Sequence, residues 1–220
     1  MPSQRSALVV GLGRFGAAVA QSLVHEEWEV LAVDESMDLV QKYADTLTHT
    51  ARVDSTDPDA LVQLGAADFE RAVVGIGSDM EASVLTVVNL VDLGVEEIWA
   101  KAVTPQHARI LERIGAHHVV FPERAMGERV AHMVTGSLED YIEFDDDFAI
   151  ARTLAPRSLW GRSLTESALR TKLDITVVGV KRPGTDFTYA RPETVVVEGD
   201  ELVVCGRTHT LEKFAQQSER

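Results

Sequence analysis

The sequence predicts a doubly wound α/β domain built on a parallel sheet, followed by a smaller α+β lobe. Three observations predict it. Short apolar, β-rich runs alternate strictly with stretches of helical period from residue 6 to roughly residue 135. A glycine turn, "GLGRFG" at 11–16, joins the first such run to the first helical stretch. Beyond it the alternation stops, and two β-rich runs with one helical stretch take over. The division is a first domain at 1–137 and a second at 138–220.

The strands expected in the first domain are "ALVV" (7–10), "EVLAVD" (29–34), "THTARVD" (48–54), "RAVVGIG" (71–77), "EIWAKA" (97–102) and "HVVF" (118–121). Helices are expected to begin near Arg14, Met37, Pro58, Met80, Pro105 and Pro122. Asp57 before Pro58 and Thr104 before Pro105 each read as an N-cap followed by a first-turn proline. Gly94 and Gly115 stand where the fourth and fifth helices should stop. In the second domain "DITVVGVKR" (174–182) and "ETVVVEGDELVVCG" (193–206) read as β-rich, with "SLTESALRTK" (163–172) as a helix. Six acids fall between Glu139 and Asp147, and this cluster reads as a solvated linker that could also bind a cation.

Composition narrows the function. Asp and Glu number 35 against 21 Lys and Arg, a formal charge of −14. By position, 1–137 holds 20 acids and 10 bases, and 138–220 holds 15 and 11. Without a basic tract, no nucleic-acid partner is expected. The single cysteine, Cys205, precludes an intramolecular disulfide and reads as a small buried hydrophobe in a chain of a reducing compartment. No signal-peptide pattern opens the chain, and no apolar run approaches the ~20 residues of a membrane span. A cytoplasmic protein is expected, reaching a membrane only through a partner.

The chemistry concentrates at the glycine turn. Gly11 permits the tight turn, Gly13 lets a pyrophosphate approach the main chain, and Gly16 allows close packing of helix on strand. The following helix N-terminus offers N–H groups to phosphate, with Phe15 in its first turn. Asp34 ends the second strand, where a carboxylate accepts from ribose hydroxyls and repels a 2′-phosphate. NAD, ADP or ATP is therefore favoured over NADP. Strand ends at the same sheet edge add Asp54, Ser55 and Thr56, then Gly75, Ile76 and Gly77, then Lys101, with Glu123 just beyond the sixth strand. Each alone reads as a turn residue or a solvated charge; their shared edge points to a site. A guanidinium at Arg14 suits a terminal phosphate better than a nicotinamide. His117 and His118 are adjacent and would face opposite sides of a strand, and no zinc-like spacing occurs.

With the glycine turn, "VLAVD", "VVGIG", "IWAKA" and "ERIGAHHVVFPERAMGERVA" in register, the chain resembles the KtrA/TrkA-type RCK (regulator of potassium conductance) family across both domains. The block "ILERIGAHHVVFPERAMG" is its most specific part. The resemblance implies a Rossmann-like N-lobe, a crossover helix and a C-terminal lobe. It implies dimers assembled into an octameric ring beneath a membrane-embedded potassium channel or transporter subunit. It also implies ATP and ADP competing for one site, with NAD(H) in some members. Arg14 would meet the terminal phosphate, Glu123 would help hold Mg²⁺ or Ca²⁺, Asp34 the ribose, and Lys101 would lie near ribose and phosphates. In some relatives the second lobe binds cyclic di-AMP, and Arg170 stands where a phosphate-binding arginine would be expected, with Leu164 and Thr165 nearby. From the residues alone, that stretch is an amphipathic helix with Arg170 facing solvent.

Two function classes result. One is a non-catalytic, nucleotide-gated regulator whose ligand acts through differential affinity for two states. The other is an NAD-dependent oxidoreductase with a small second domain, for which no clear His, Lys or Tyr constellation is in sight.

Overall fold

The computed structural model describes residues 5–134, 140–144 and 147–216. Among these residues the chain divides into two compact units, the first ending at Glu123 and the second starting at Arg124.

In the first unit β1 (Ser6–Val10), α1 (Arg14–His25), β2 (Glu29–Asp34), α2 (Met37–Tyr43), β3 (His49–Arg52) and α3 (Pro58–Gln63) are followed by β4 (Arg71–Val74), α4 (Met80–Asp92), β5 (Glu97–Lys101), α5 (Pro105–Arg113) and β6 (His118–Val120). α6 (Pro122–Val134) starts at the end of this unit. The strands lie in the order β3-β2-β1-β4-β5-β6 and every pairing is parallel. That order reverses direction between β1 and β4, the switch point at which open α/β sheets bind ligands. Alternate residues of the strands feed two cores. Leu8, Val10, Ala72, Val74, Ile98 and Ala100 pack with Leu61 of α3, Val87 and Leu90 of α4, and Leu111 of α5. Val9, Val30 and Ala32 pack on the other side with Ala17 and Ala20 of α1 and Val40 of α2.

Local chemistry sets the helix starts. The Asp57 carboxylate accepts from Asp59 N–H at 3.0 Å, and Thr104 Oγ1 accepts from His107 N–H at 3.1 Å, each ahead of a first-turn proline. β3 and β4 are shorter than the apolar runs suggest. Asp54 closes a turn by accepting from the N–H and hydroxyl of Thr56, which takes the chain out of the ladder.

The second unit contains β7 (Asp140–Phe144), β8 (Phe148–Leu154), β9 (Arg162–Ser163), α7 (Leu164–Ser167), α8 (Leu169–Leu173), β10 (Thr176–Lys181), β11 (Thr188–Tyr189), β12 (Val195–Val196), β13 (Glu201–Arg207) and α9 (Thr208–Ala215). A five-stranded antiparallel sheet runs β11-β10-β13-β8-β7, with β9 and β12 as a small separate pair. Leu202, Val204, Ala149 and Ala151 form its core with Leu211 and Phe214 of α9.

Three sequence expectations change here. The acidic stretch is not a linker where it is described: Asp140–Phe144 is a strand paired with β8, Tyr141 is buried, and Asp140 pairs with Arg129 and Arg152. Glu139, Asp145 and Asp146 lie outside the described residues. The single helix expected over 163–172 is two short ones broken at Ala168, which has φ +53°. Ser163 and Glu166 close the first turn as a reciprocal capping box. Leu164 and Leu169 both pack on the lobe's core, yet on one continuous helix they would point about 140° apart; the break brings both inward. Cys205, expected to be buried, is half-buried, because β13 turns Leu202, Val204 and Gly206 inward and leaves Cys205 on the opposite register.

Candidate functional site

The glycine turn leaves β1 with Gly11 at φ +93°, a left-handed conformation that favours glycine. Its N–H donates to the Val33 carbonyl at 2.8 Å, holding the turn against β2. Gly16 is buried beneath it. A Cβ there would overlap the Gly11 carbonyl oxygen, and one on Gly75 would come within 3.1 Å of the Gly16 Cα. These three glycines thus let the ends of β1 and β4 and the start of α1 meet backbone to backbone. Gly13 differs: nothing lies within 4 Å of a Cβ placed on it, and it is the N-cap of α1 with no side chain capping the helix. The first-turn N–H groups and the positive end of the helix dipole therefore face open space.

That space is a cleft of about 530 Å³ along the carboxyl edge of the parallel sheet. Gly11, Gly13, Arg14 and Phe15 line it from the turn, Asp34 from β2, and Asp54 and Ser55 from the loop after β3. Gly75, Ile76 and Gly77 line it after β4, Lys101 from β5 and Glu123 from α6. Of the residues expected in this nucleotide site, Gly16 alone does not reach the cavity; its role is to bring the backbones together.

Charge is arranged unevenly along the cleft. At one end Lys101, nearly buried, donates from Nζ to Glu123 Oε1 at 2.5 Å. This bond holds the Glu123 carboxyl below the usual carboxylate range, and the nearby Arg14 charge adds a smaller pull in the same direction. Two cations and one carboxylate leave this end net positive. Asp34 accepts Leu12 N–H on Oδ2 at 2.6 Å and Ser36 N–H on Oδ1 at 2.8 Å. Each oxygen keeps one further lone-pair direction, so the carboxylate is oriented by the glycine turn and retains capacity to accept from a ligand.

The described residues hold no group of three His, Cys, Asp or Glu that could bind a metal. Glu123 alone fits a divalent cation only as one carboxylate among phosphate oxygens, the usual pattern for Mg²⁺. The adjacent histidines do not converge: the His118 ring stacks on Trp99 at 3.9 Å, and His117 Nδ1 accepts from Ile98 N–H. In the second unit Leu164, Thr165 and Arg170 line a smaller cavity of about 390 Å³, together with Ile175, Ala190 and Arg191. Arg170 is exposed and donates from Nε to the Thr176 hydroxyl at 3.1 Å.

Some lining residues were not anticipated from the sequence. Leu39, Val53 and Ala82 supply apolar wall, and Ser36, Ser78 and Asp79 supply polar rim. Behind the wall, Ser55 shares a 2.7 Å hydrogen bond with Thr86, and Asn89 donates to the carbonyls of Ser55 and Thr56. The signal was present in "MEASVLTVVNLVD": a threonine and an asparagine three apart within a mostly apolar helical run.

A match to the TrkA-N domain covers residues 7–122 and a match to the TrkA-C domain covers 150–218. The chain belongs to the KtrA/TrkA-type RCK family. It is 35% identical over 210 residues to the Ktr system potassium uptake protein C of Bacillus subtilis, covering 95% of both chains. The Ktr system potassium uptake protein A of Vibrio alginolyticus is 32% identical over 200 residues, with 90% of each chain covered. Among solved structures, the RCK domain of GsuK superposes over the whole chain with a TM-score of 0.69 at 19% identity, although the chain covers only 48% of that protein. GsuK structures solved with NAD and with ADP align at TM-scores of 0.53 and 0.54. No helix among the described residues is long and apolar enough to cross a membrane.

Proposed function

We propose that this chain is a nucleotide-sensing regulatory subunit of a potassium transport system, binding ATP and ADP competitively, and NAD(H) as a further ligand, in the cleft of the first unit. One observation carries the reading: a glycine-turn cleft with a cationic end at Arg14 and Lys101, in a chain related over 95% of its residues to a Ktr potassium uptake protein. The phosphates lie at the α1 N-terminus with the terminal one against Arg14, and Asp34 takes the ribose. Glu123 would hold Mg²⁺ or Ca²⁺ beside the phosphates, and the cation would supply charge neutralisation there. Residues 1–137 act as the nucleotide-binding domain with its crossover helix, and 138–220 as the C-terminal domain. Dimers assemble into an octameric ring on the cytoplasmic side of a membrane-embedded channel subunit. Leu164, Thr165 and Arg170 receive cyclic di-AMP in the smaller cavity. The oxidoreductase reading is weaker, because among the described residues no His, Tyr or Cys lines the cleft and the lysine that does, Lys101, is held by Glu123.

The test is a thermal-shift panel of ATP, ADP and NAD on the full chain, combined with particle mass by light scattering. Adenine nucleotides should raise Tm by mass action, and the mass should be a multiple of the dimer. Indifference to ATP and ADP, or a monomer throughout, would overturn the reading. Titration with cyclic di-AMP tests the second site: wild type should release or absorb heat, and Arg170→Ala should abolish it.

A further inference from the structure

The loop at residues 53–57 forms the cleft wall after β3, and its main-chain bonds fix its start against β2 but not its middle. Val53 N–H reaches the Asp34 carbonyl at 3.0 Å and Asp57 N–H the Asp54 carbonyl at 3.3 Å. Asp54 itself is engaged in the turn with Thr56. Beyond that main-chain bond to the end of β2, what ties the middle of the loop to the body of the domain is α4. The Asn89 amide donates from Nδ2 to the Ser55 and Thr56 carbonyls, both at 3.1 Å. Thr86, one turn earlier, takes up the Ser55 hydroxyl. Asn89 is half-buried, while its neighbours Val87 and Leu90 are locked in the core. α4 also begins at the cleft, where Asp79 caps it and, with Ala82, lines the cavity. A single rigid helix therefore fixes two parts of the wall.

Strand order indicates which part of a nucleotide this wall meets. The glycine turn follows β1, Asp34 ends β2, and the loop follows β3 at the sheet's edge. The loop thus lies beyond the ribose carboxylate from the phosphates, at the position of the base. Its apolar neighbours Val53, Leu39 and Ile76 suit the flat faces of a purine. With the Ser55 hydroxyl turned inward to Thr86, the Ser55 and Thr56 carbonyls, each accepting one bond from Asn89, keep a second lone-pair direction for the edge of the base, and its aim depends on the loop's position.

We infer that Asn89 is a positioning residue that sets adenine selectivity by holding the Ser55 and Thr56 carbonyls in place. This rests on the nucleotide-site reading above. Asn89→Asp keeps the side chain's shape but cannot donate and turns a charge toward two carbonyl oxygens. Calorimetric titration of the full chain with ADP and with GDP should show ADP affinity falling on the order of tenfold and the ADP-over-GDP ratio narrowing. Thr86→Val, which removes only the hydroxyl, should shift the ratio in the same direction and provides the test if Asn89→Asp does not fold. A merely structural role would lower Tm and leave the ratio unchanged, and that result in both variants overturns the inference while leaving the nucleotide site standing. Wild type that binds neither nucleotide overturns both.

Discussion

Gly13 and Gly16 stand three residues apart in one turn, but the geometry gives them different tasks, and alanine at each separates the two. At Gly16 the added methyl would overlap the Gly11 carbonyl, a backbone atom in a turn already packed against Gly75. Relief requires the turn, α1 or β1 to move. Overpacking of this kind costs about 2–3 kcal/mol, a fall in Tm of roughly 6–12 °C for a unit of this size. At Gly13 the φ is −63°, which alanine adopts freely, and the methyl meets no protein atom within 4 Å. Restricting the unfolded chain gains about 0.4–1 kcal/mol, and the poorer N-cap offsets much of it. Gly13→Ala should therefore keep Tm within roughly 3 °C of wild type. Its methyl points instead into the space where a phosphate would approach the helix N-terminus, so ADP affinity should fall tenfold or more, about 1.4 kcal/mol. Differential scanning calorimetry without ligand and calorimetric titration with ADP measure the two effects. A Gly13→Ala protein that binds ADP like wild type, or a Gly16→Ala protein as stable as wild type, would refute this division of roles.

Arg14→Ala should weaken ATP by roughly tenfold or more, the worth of a charge-assisted contact, and NAD much less; equal losses would remove Arg14 from the terminal phosphate. Lys101→Met deprives Glu123 of its ammonium, so the Glu123 carboxyl should titrate at higher pH in a carboxyl-resolved NMR titration, and an unchanged midpoint would contradict the pairing. Burial holds the His107 imidazole below its ordinary pKa, so the unfolded chain takes up that proton first as pH falls. Its contribution to stability is complete above the unfolded value of about 6.5 and is lost progressively as pH drops from there toward the lower folded value. His107→Leu should flatten the dependence of the urea midpoint on pH below about 6.5, and the same slope in both proteins would show that another group carries it. Ala168→Val should destabilise the second unit by more than about 1 kcal/mol, since a β-branched residue tolerates φ +53° poorly; an unchanged transition for that unit would argue against the helix break.

The first unit was legible because each signal in its sequence is local. Buried parallel strands read as apolar runs, the N-caps Asp57 and Thr104 precede prolines, and the glycine turn has a fixed spacing. The second unit was less so. β7 lies within an acidic stretch whose inward Tyr141 and outward Ile142 give no helical or amphipathic cue, and its pairing with β8 is a property of register rather than composition. The helix break at Ala168 depends on where the core lies relative to Leu164 and Leu169, which no window of sequence contains. In the cleft, residues at strand ends were found by their shared edge. Ser36, Leu39 and Ala82, by contrast, arrive on neighbouring helices and loops, and Asn89 acts from 33 and 34 residues away through carbonyls that carry no sequence signature.

The most direct test of the nucleotide-sensor account is calorimetric titration of the 220-residue chain with ADP and then ATP, with the nucleotide recovered afterwards and its composition determined. The account predicts saturable binding of each, displacement of one by the other, and recovery of both unconverted. Absence of binding by either nucleotide, or their occupation of separate sites without competition, would contradict it.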